Sequence, residues 1–371
     1  MKTFIWDTKR LEEIRQDAAN GLLSLALISL RKQADEALAF EPVSVMDKEV
    51  VPPSGDKHDY MSMGPYWWPD PDKPDGLPYI RRDGEVNPDR DKYDNASLSP
   101  MCGHVATLSL ASYLLNSDMY AEHAALLLRT WFLDAETRMN PHLEYGQAIP
   151  GICDGRGIGI IDTAGNFTKL ADALGVLTEA DVWTEADAAG MQAWMGDYLT
   201  WLLESETGKD EARQHNNHGT YYDMQAIALS LLTEQTDVAR SLAEKVAEVR
   251  IATQVEPDGA QPRELARTRS NSYSLMNTLG FVNLAILSRH VDVDLWEFET
   301  ADGRSIHRAL DWFVPYINAE KEWSWQQISA FDPVSYMPLF RLTVAHFDSG
   351  FLDVLDVLPE DEVNQAHLTC T

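Results

Sequence analysis

Two stretches of the chain combine residue types suited to anion binding and proton transfer. The first is QHNNHGTYYDMQ, residues 214–225, where Asn216, Asn217 and His218 precede an apolar helical pattern of Met224, Ile227, Ala228, Leu231 and Leu232. Asn and His are poor helix formers because they compete with the backbone for hydrogen bonds. At a helix start, however, free N–H groups and a partial positive charge favour an anion. Asn can donate to a carboxylate without changing charge, and His218 can donate or accept. Tyr222 follows on the same stretch. An Asn N-cap beside a satisfied histidine has the same composition.

The second stretch is ELARTRSNSYSLMNT, residues 264–278. Arg263, Arg267 and Arg269 concentrate positive charge in an acidic protein, and Tyr273 follows Arg267 by six residues. Guanidinium groups near a phenol stabilise its phenolate and lower its pKa below the usual ~10, which makes Tyr273 a candidate general base. A surface Arg run beside a core tyrosine is the plainer alternative. A third group lies in the stretch 50–95, with His58, Tyr60, Tyr66, Trp67, Trp68, Arg81 and Arg82. Aromatic side chains can stack on sugar faces, and Arg pairs with carboxylates in bidentate fashion. A fourth, Gly-rich stretch at 140–162 carries Gln147 and Arg156 among its glycines. Its GRGIGIID segment lacks the strand–turn–helix context of a dinucleotide loop.

The elements that must position these groups read mainly as helices. Apolar patterns of helical period fit 8–39 (broken near Asn20–Gly21), 97–115, 120–133, 164–174, 184–205, 219–234, 236–252, 271–289, 304–317 and 333–347. Strand signals are few and short. The 50–95 stretch follows neither period, exceeds the ~12–15 residues beyond which a loop is usually functional, and is too aromatic for a disordered linker. Helical patterns joined by short loops, without a fixed repeat or a dividing linker, predict one all-α domain, a toroid or barrel of helical hairpins.

The 371 residues are 44% apolar and 24% charged, which allows a packed core. A formal net charge of −29 argues against nucleic-acid backbones as partners. It also means that an anionic substrate needs a local basic pocket. No apolar run reaches the ~18 residues of a membrane span. The N-terminal segment lacks a signal-peptide core, so the expected location is the cytoplasm unless a leader has been removed. Three widely spaced cysteines suggest structural thiols. HExxH, EF-hand and GxSxG motifs are absent, so metal and serine-nucleophile chemistry find no support.

KHDYMSMGPYWWPDP, GLPYIRRDGEVNPD, NNHGTYYDMQ and DGAQPRELARTRSNSYSLMN, taken together, resemble the alginate lyase superfamily of polysaccharide lyases, in particular the branch that cuts alginate or glucuronan. The likeness spans roughly residues 45–290. It implies an incomplete (α/α) toroid, metal-independent β-elimination without a cofactor, an anionic polysaccharide partner and export to the periplasm. By that resemblance Asn217 and His218 are the carboxylate-neutralising pair, Arg267 the supporting arginine and Tyr273 the catalytic tyrosine. Asn216, His58, Tyr60, Tyr66, Trp67, Trp68, Arg81, Arg82, Gln147, Arg156, Tyr222 and Arg263 are the expected substrate-binding residues. Mannuronate, glucuronate and guluronate all stay open as substrate units. A glycoside hydrolase using two of Asp162, Asp223 and Glu264, or a non-catalytic polyuronate binder, is the alternative.

Overall fold

The computed structural model describes residues 1–359 and 365–370. Helices dominate. In chain order they include α1 (Thr8–Ala19), α2 (Leu25–Ala37), α3 (Asn95–Leu115), α4 (Asp118–Leu128), α5 (Ile161–Leu177), α6 (Glu185–Glu204), α7 (Glu206–Ala212), α8 (Asn217–Leu232), α9 (Thr236–Val246), α10 (Ala252–Gln254), α11 (Pro262–Leu265) and α12 (Ser270–Arg289). Shorter helices follow, of which Met337–His346 is the longest. The break expected near Asn20–Gly21 is present, with Gly21 at φ +83°. Several elements differ from the sequence reading. The pattern at 184–205 stops at Glu204, because Ser205 caps a separate helix, α7, through its hydroxyl and the Gly208 N–H. The 304–317 pattern is split into Ile306–Asp311 and Val314–Ile317, with Pro315 in the first turn of the second. The short C-terminal helices Leu352–Val357 and Ala366–Thr369 gave too few turns for a period to register.

The chain forms two compact units, Gln33–Arg213 with Met1, and Lys2–Lys32 with Gln214–Thr371. In the first, α3 packs on α4 and α5. Helix α3 is long and apolar enough to cross a bilayer, but it is a core helix, with Val105–Leu114 buried throughout. The 50–95 stretch is ordered by short strands. Met61–Met63 (β1) pairs in parallel with Tyr145–Ala148 (β4), and Trp67–Trp68 (β2) pairs antiparallel with Ile80–Arg81 (β3). In the second unit, α8 is packed by α9 and α12, and nearly every residue from Asn217 to Leu231 is buried. A helix enclosed on all sides has no polar face, which explains its weak periodicity in sequence. Cys102, Cys153 and Cys370 are free thiols, two of them buried, as expected.

A buried ion pair anchors the start of the aromatic stretch. Lys48 Nζ lies 3.2 Å from Asp94 Oδ2, with both side chains 1% exposed. Lys48 also donates to the Val45 and Lys57 carbonyls, and Asp94 accepts the Met61 N–H at 2.8 Å. Burial pushes the Asp94 carboxyl up to about 7, against the opposing pull of Lys48. Removing one partner leaves an uncompensated buried charge. Lys48→Met is expected to destabilise the protein by about 3–5 kcal/mol in urea unfolding, and adding Asp94→Asn to recover part of that loss.

Candidate active site

The second unit brings the sequence-predicted catalytic residues into one connected cluster. Asn217 and His218 occupy the first turn of α8, not the loop before it. The turn is held from below by Arg250, in the π-helical turn Ala247–Ile251. Its guanidinium is forked on Asp223 at 2.7 and 3.1 Å and donates to the Gln214 carbonyl at 2.6 Å. Burial pushes the Asp223 carboxyl up, and Arg250 opposes the shift. Gly219 makes this approach possible. A Cβ there would run into the Gln214 carbonyl and the Arg250 guanidinium.

The helix end does not stand open to an outside anion. The Asn217 backbone N–H donates to Glu264 Oε1 at 2.7 Å, and Asn217 Nδ2 donates to Glu264 Oε2 at 2.7 Å. Glu264, on α11, is 1% exposed. Burial raises its carboxyl above the ordinary value, while the two Asn217 bonds, then Arg267 and His218, pull it back. This corrects the sequence expectation: the anion at the first N–H of α8 is a protein carboxylate. Asn217, 1% exposed, has spent one of its two side-chain protons on it.

Arg267 lies over Tyr273, with its guanidinium carbon 3.8 Å from the centre of the ring. A cation over an aromatic face at this distance is an attractive contact. Tyr273, Arg267 and His218 are each half-buried, so all three keep access to solvent. Hydrogen bonds join Asn217 to Glu264, the charges of Arg267 and His218 act on that carboxylate, and Arg267 lies over the Tyr273 ring.

A layer of buried amides supports this cluster. Asn277 Nδ2 donates to Gln254 Oε1 at 2.9 Å and to Gln261 Oε1 at 2.7 Å. Gln261 Nε2 donates to the Thr278 hydroxyl at 2.6 Å, and the Thr220 hydroxyl donates to Gln254 at 3.1 Å. Helix α12 begins without a side-chain cap from Arg269. Its first amides are met instead by a distant segment: Ser270 N donates to the Gln326 carbonyl at 3.1 Å, and Asn271 N to Gln327 Oε1 at 3.0 Å. Trp323 Nε1 donates to the Ser270 hydroxyl at 2.9 Å.

The remaining sequence candidates fall into distinct settings. Asn216 is the N-cap of α8 but makes no cap bond, and its buried Oδ1 has no partner. Arg263 is exposed and donates to the His215 carbonyl at 2.8 Å. Tyr222 is 4% exposed and Tyr60 is 0% exposed, so neither presents a surface to a sugar. Tyr60 instead donates to Asp162 at 3.2 Å, and burial holds its phenol well above its ordinary range. Within the first unit, Asp162 also accepts from Ser62 and from Gln147 Nε2. Gln147, 6% exposed, is gripped by Arg156 through its carbonyl at 3.0 Å and its Oε1 at 2.9 Å. Trp67 and Trp68 are half-buried, with Arg156 5.9 Å from the Trp67 ring and Arg82 5.2 Å from that of Trp68. Tyr66 is half-buried, its carbonyl accepting the Arg82 N–H at 2.8 Å, and Arg81 pairs with Asp83 at 2.7 Å. His58 is held by the Arg138 carbonyl at 2.6 Å. Glycines 155 and 159, in the stretch with a superficial dinucleotide-loop pattern, lie so close to the 144–146 backbone that a Cβ would collide with it.

The alginate lyase family model matches residues 44–323. The chain belongs to the alginate lyase family. This family member is a polysaccharide lyase, and its likeness to solved structures extends over almost the whole chain. An alginate lyase from Bacteroides ovatus shares 39% identity with a TM-score of 0.93, covering 99% of this chain and 98% of that one. Alginate lyase A1-III from Sphingomonas species A1 shares the fold at 17% identity and TM-score 0.59, covering 92% and 94%. A histidine-to-alanine variant of A1-III complexed with a tetrasaccharide gives 17% identity and TM-score 0.65, covering 97% and 94%. The all-α, (α/α)-toroid class expected from the sequence is therefore the class of this lyase. No curated protein sequence matches it.

Among the described residues, no group of three or more His, Cys, Asp or Glu is placed to hold a metal ion. The carboxylates considered for hydrolysis are each committed: Asp223 to Arg250, Glu264 to Asn217, and Asp162 to three donors. Gly219→Ala is expected to cost about 1–3 kcal/mol of stability through overpacking and to lower turnover, since Gln214 and Arg250 must yield together. Urea unfolding and steady-state rates check it.

Proposed function

We propose that the protein cleaves 4-linked polyuronates, poly-mannuronate of alginate or glucuronan, by metal-independent β-elimination, leaving a 4,5-unsaturated uronate end. One observation carries this reading: the Arg267 guanidinium stacked 3.8 Å from the Tyr273 ring, in the same cluster as Asn217 and His218.

The reaction removes the C5 proton of a uronate and expels the 4-linked oxygen. That proton is α to a carboxylate, so its loss adds negative charge to a group that already carries one. Donors fixed in advance are the effective way to stabilise such charge. His218, Arg267 and the remaining Asn217 side-chain proton take this role. Tyr273 takes the proton as phenolate, steadied by the cation over its ring, and returns it as phenol to the leaving oxygen. Mannuronate and glucuronate share their C4 and C5 configurations, with proton and leaving oxygen on one side, so a single residue serves both steps. Guluronate, the C5 epimer, requires a second residue as base, with His218 the candidate. The half-buried Trp67 and Trp68, each with an arginine at its face, offer a surface for sugar rings and carboxylates. Export to the periplasm is part of the proposal and rests on the family resemblance alone.

The test is ultraviolet absorbance of the conjugated double bond on defined polyuronates, which hydrolysis does not generate. Wild-type enzyme is expected to give that signal undiminished by chelator. Tyr273→Phe is expected to lower turnover by at least ~10²-fold with substrate still bound. Near-normal turnover in that variant sinks the assignment. Trp67→Ala or Trp68→Ala is expected to raise KM for long chains more than for short ones, as steady-state kinetics on a size series would reveal.

A further inference from the structure

We infer that Glu264 is a positioning residue for this reaction, an internal counter-anion that fixes the Asn217 amide and sets the charge balance around His218 and Arg267. The inference rests on the lyase reading of the same site.

Glu264 fills the slot where a substrate carboxylate was expected. The first N–H groups of a helix have no acceptor within the helix itself, and Asn216 gives α8 no side-chain cap. Glu264 takes the Asn217 N–H from 47 positions along the chain. Its second oxygen takes the Asn217 side-chain N–H. Two bonds between the same pair fix the rotation of the amide. The other Nδ2 proton and the carbonyl oxygen then have defined directions before any ligand arrives. An amide held in this way needs no reorganisation as charge grows on a bound uronate. Without the carboxylate, Asn217 would be free to rotate.

The same carboxylate balances the cations. Asn217 of α8 bonds it directly, and the charges of Arg267, from the segment leading to α12, and His218, from α8, act on it. The cluster must attract an anionic sugar without holding it so tightly that ground state and transition state gain equally. A fixed negative charge behind the donors tempers that attraction. Glu264 is not itself placed to move protons: both oxygens are engaged and its side chain is enclosed.

Glu264→Gln removes the charge and faces Asn217 with an N–H where an acceptor stood. In the absorbance assay kcat is expected to fall by roughly 10²-fold, with a smaller change in KM. The pH profile of kcat/KM should move to lower pH, because removing a fixed negative charge favours proton loss from groups that act beside it. Glu264→Asp keeps the charge and should leave the profile in place with an intermediate kcat. A Gln variant with kcat within about twofold of wild type, or with a reduced rate and an unmoved profile, overturns the assignment. Should the Gln variant fail to fold, Glu264→Asp decides: lowered kcat on an unmoved profile supports the role, and wild-type kcat overturns it. Absence of unsaturated product from the wild-type enzyme on every polyuronate defeats the lyase reading itself. An active wild type with an unaffected Gln variant defeats only the role of Glu264.

Discussion

Everything at the site depends on how the first turn of a largely buried helix is completed. A helix begins with several N–H groups that have no partner within it, and burying them unpaired is costly. Helix α8 starts inside the second unit, so water is not the general solution. The chain supplies partners of its own: Glu264 for the Asn217 N–H, and Arg250 to hold the Gln214 carbonyl just outside the turn. Each brings a charge with it, and each charge is matched, Arg250 by Asp223 and Glu264 by its donors and neighbouring cations. Once these pairs are in place, the directions of Asn217 and His218 follow from the backbone.

The layer beneath is polar, which is unusual for a core but consistent with the task. Gln254, Gln261, Asn277, Thr220 and Thr278 link α8, α10, the N-cap of α11 and α12 through hydrogen bonds. Apolar packing alone would leave these elements more freedom to slide. The bonds among these amides favour one registry, although Gln254 Nε2 and Asn277 Oδ1 are buried without a partner. The stacking of Arg267 on Tyr273 requires that registry, since the two residues flank the junction between α11 and α12.

The proposed catalytic set was legible as a pattern because it is local: NNH, ELxR and a following tyrosine are short runs of uncommon residues. Most helices were legible for the same reason, each having an apolar face of period 3.6. The partners that fix the site were not. Glu264 appeared in sequence only as a carboxylate available for hydrolysis, since nothing in ELAR shows that its side chain turns to residue 217. Arg250 lies in a helical pattern where it resembles an ordinary surface arginine, yet it is 2% exposed. Tyr60 failed in the opposite direction. Its neighbours suggested a binding surface, but the β1–β4 pairing carries it into the interior beside Asp162. Direction, and not residue type, was the missing quantity.

The junction between Gln326–Gln327 and the first amides of α12 has a bearing on how the protein matures. The partners are separated by 56 positions in the chain. Bringing such distant segments together requires closure of a long loop, an entropic cost met before the contact gives anything back. Helix α12 can therefore form early from its own apolar pattern, while its leading turn stays frayed until the downstream 326–327 segment docks. During synthesis that segment emerges long after Tyr273, so a nascent chain can hold every side chain of the candidate site and still lack the contacts that order it.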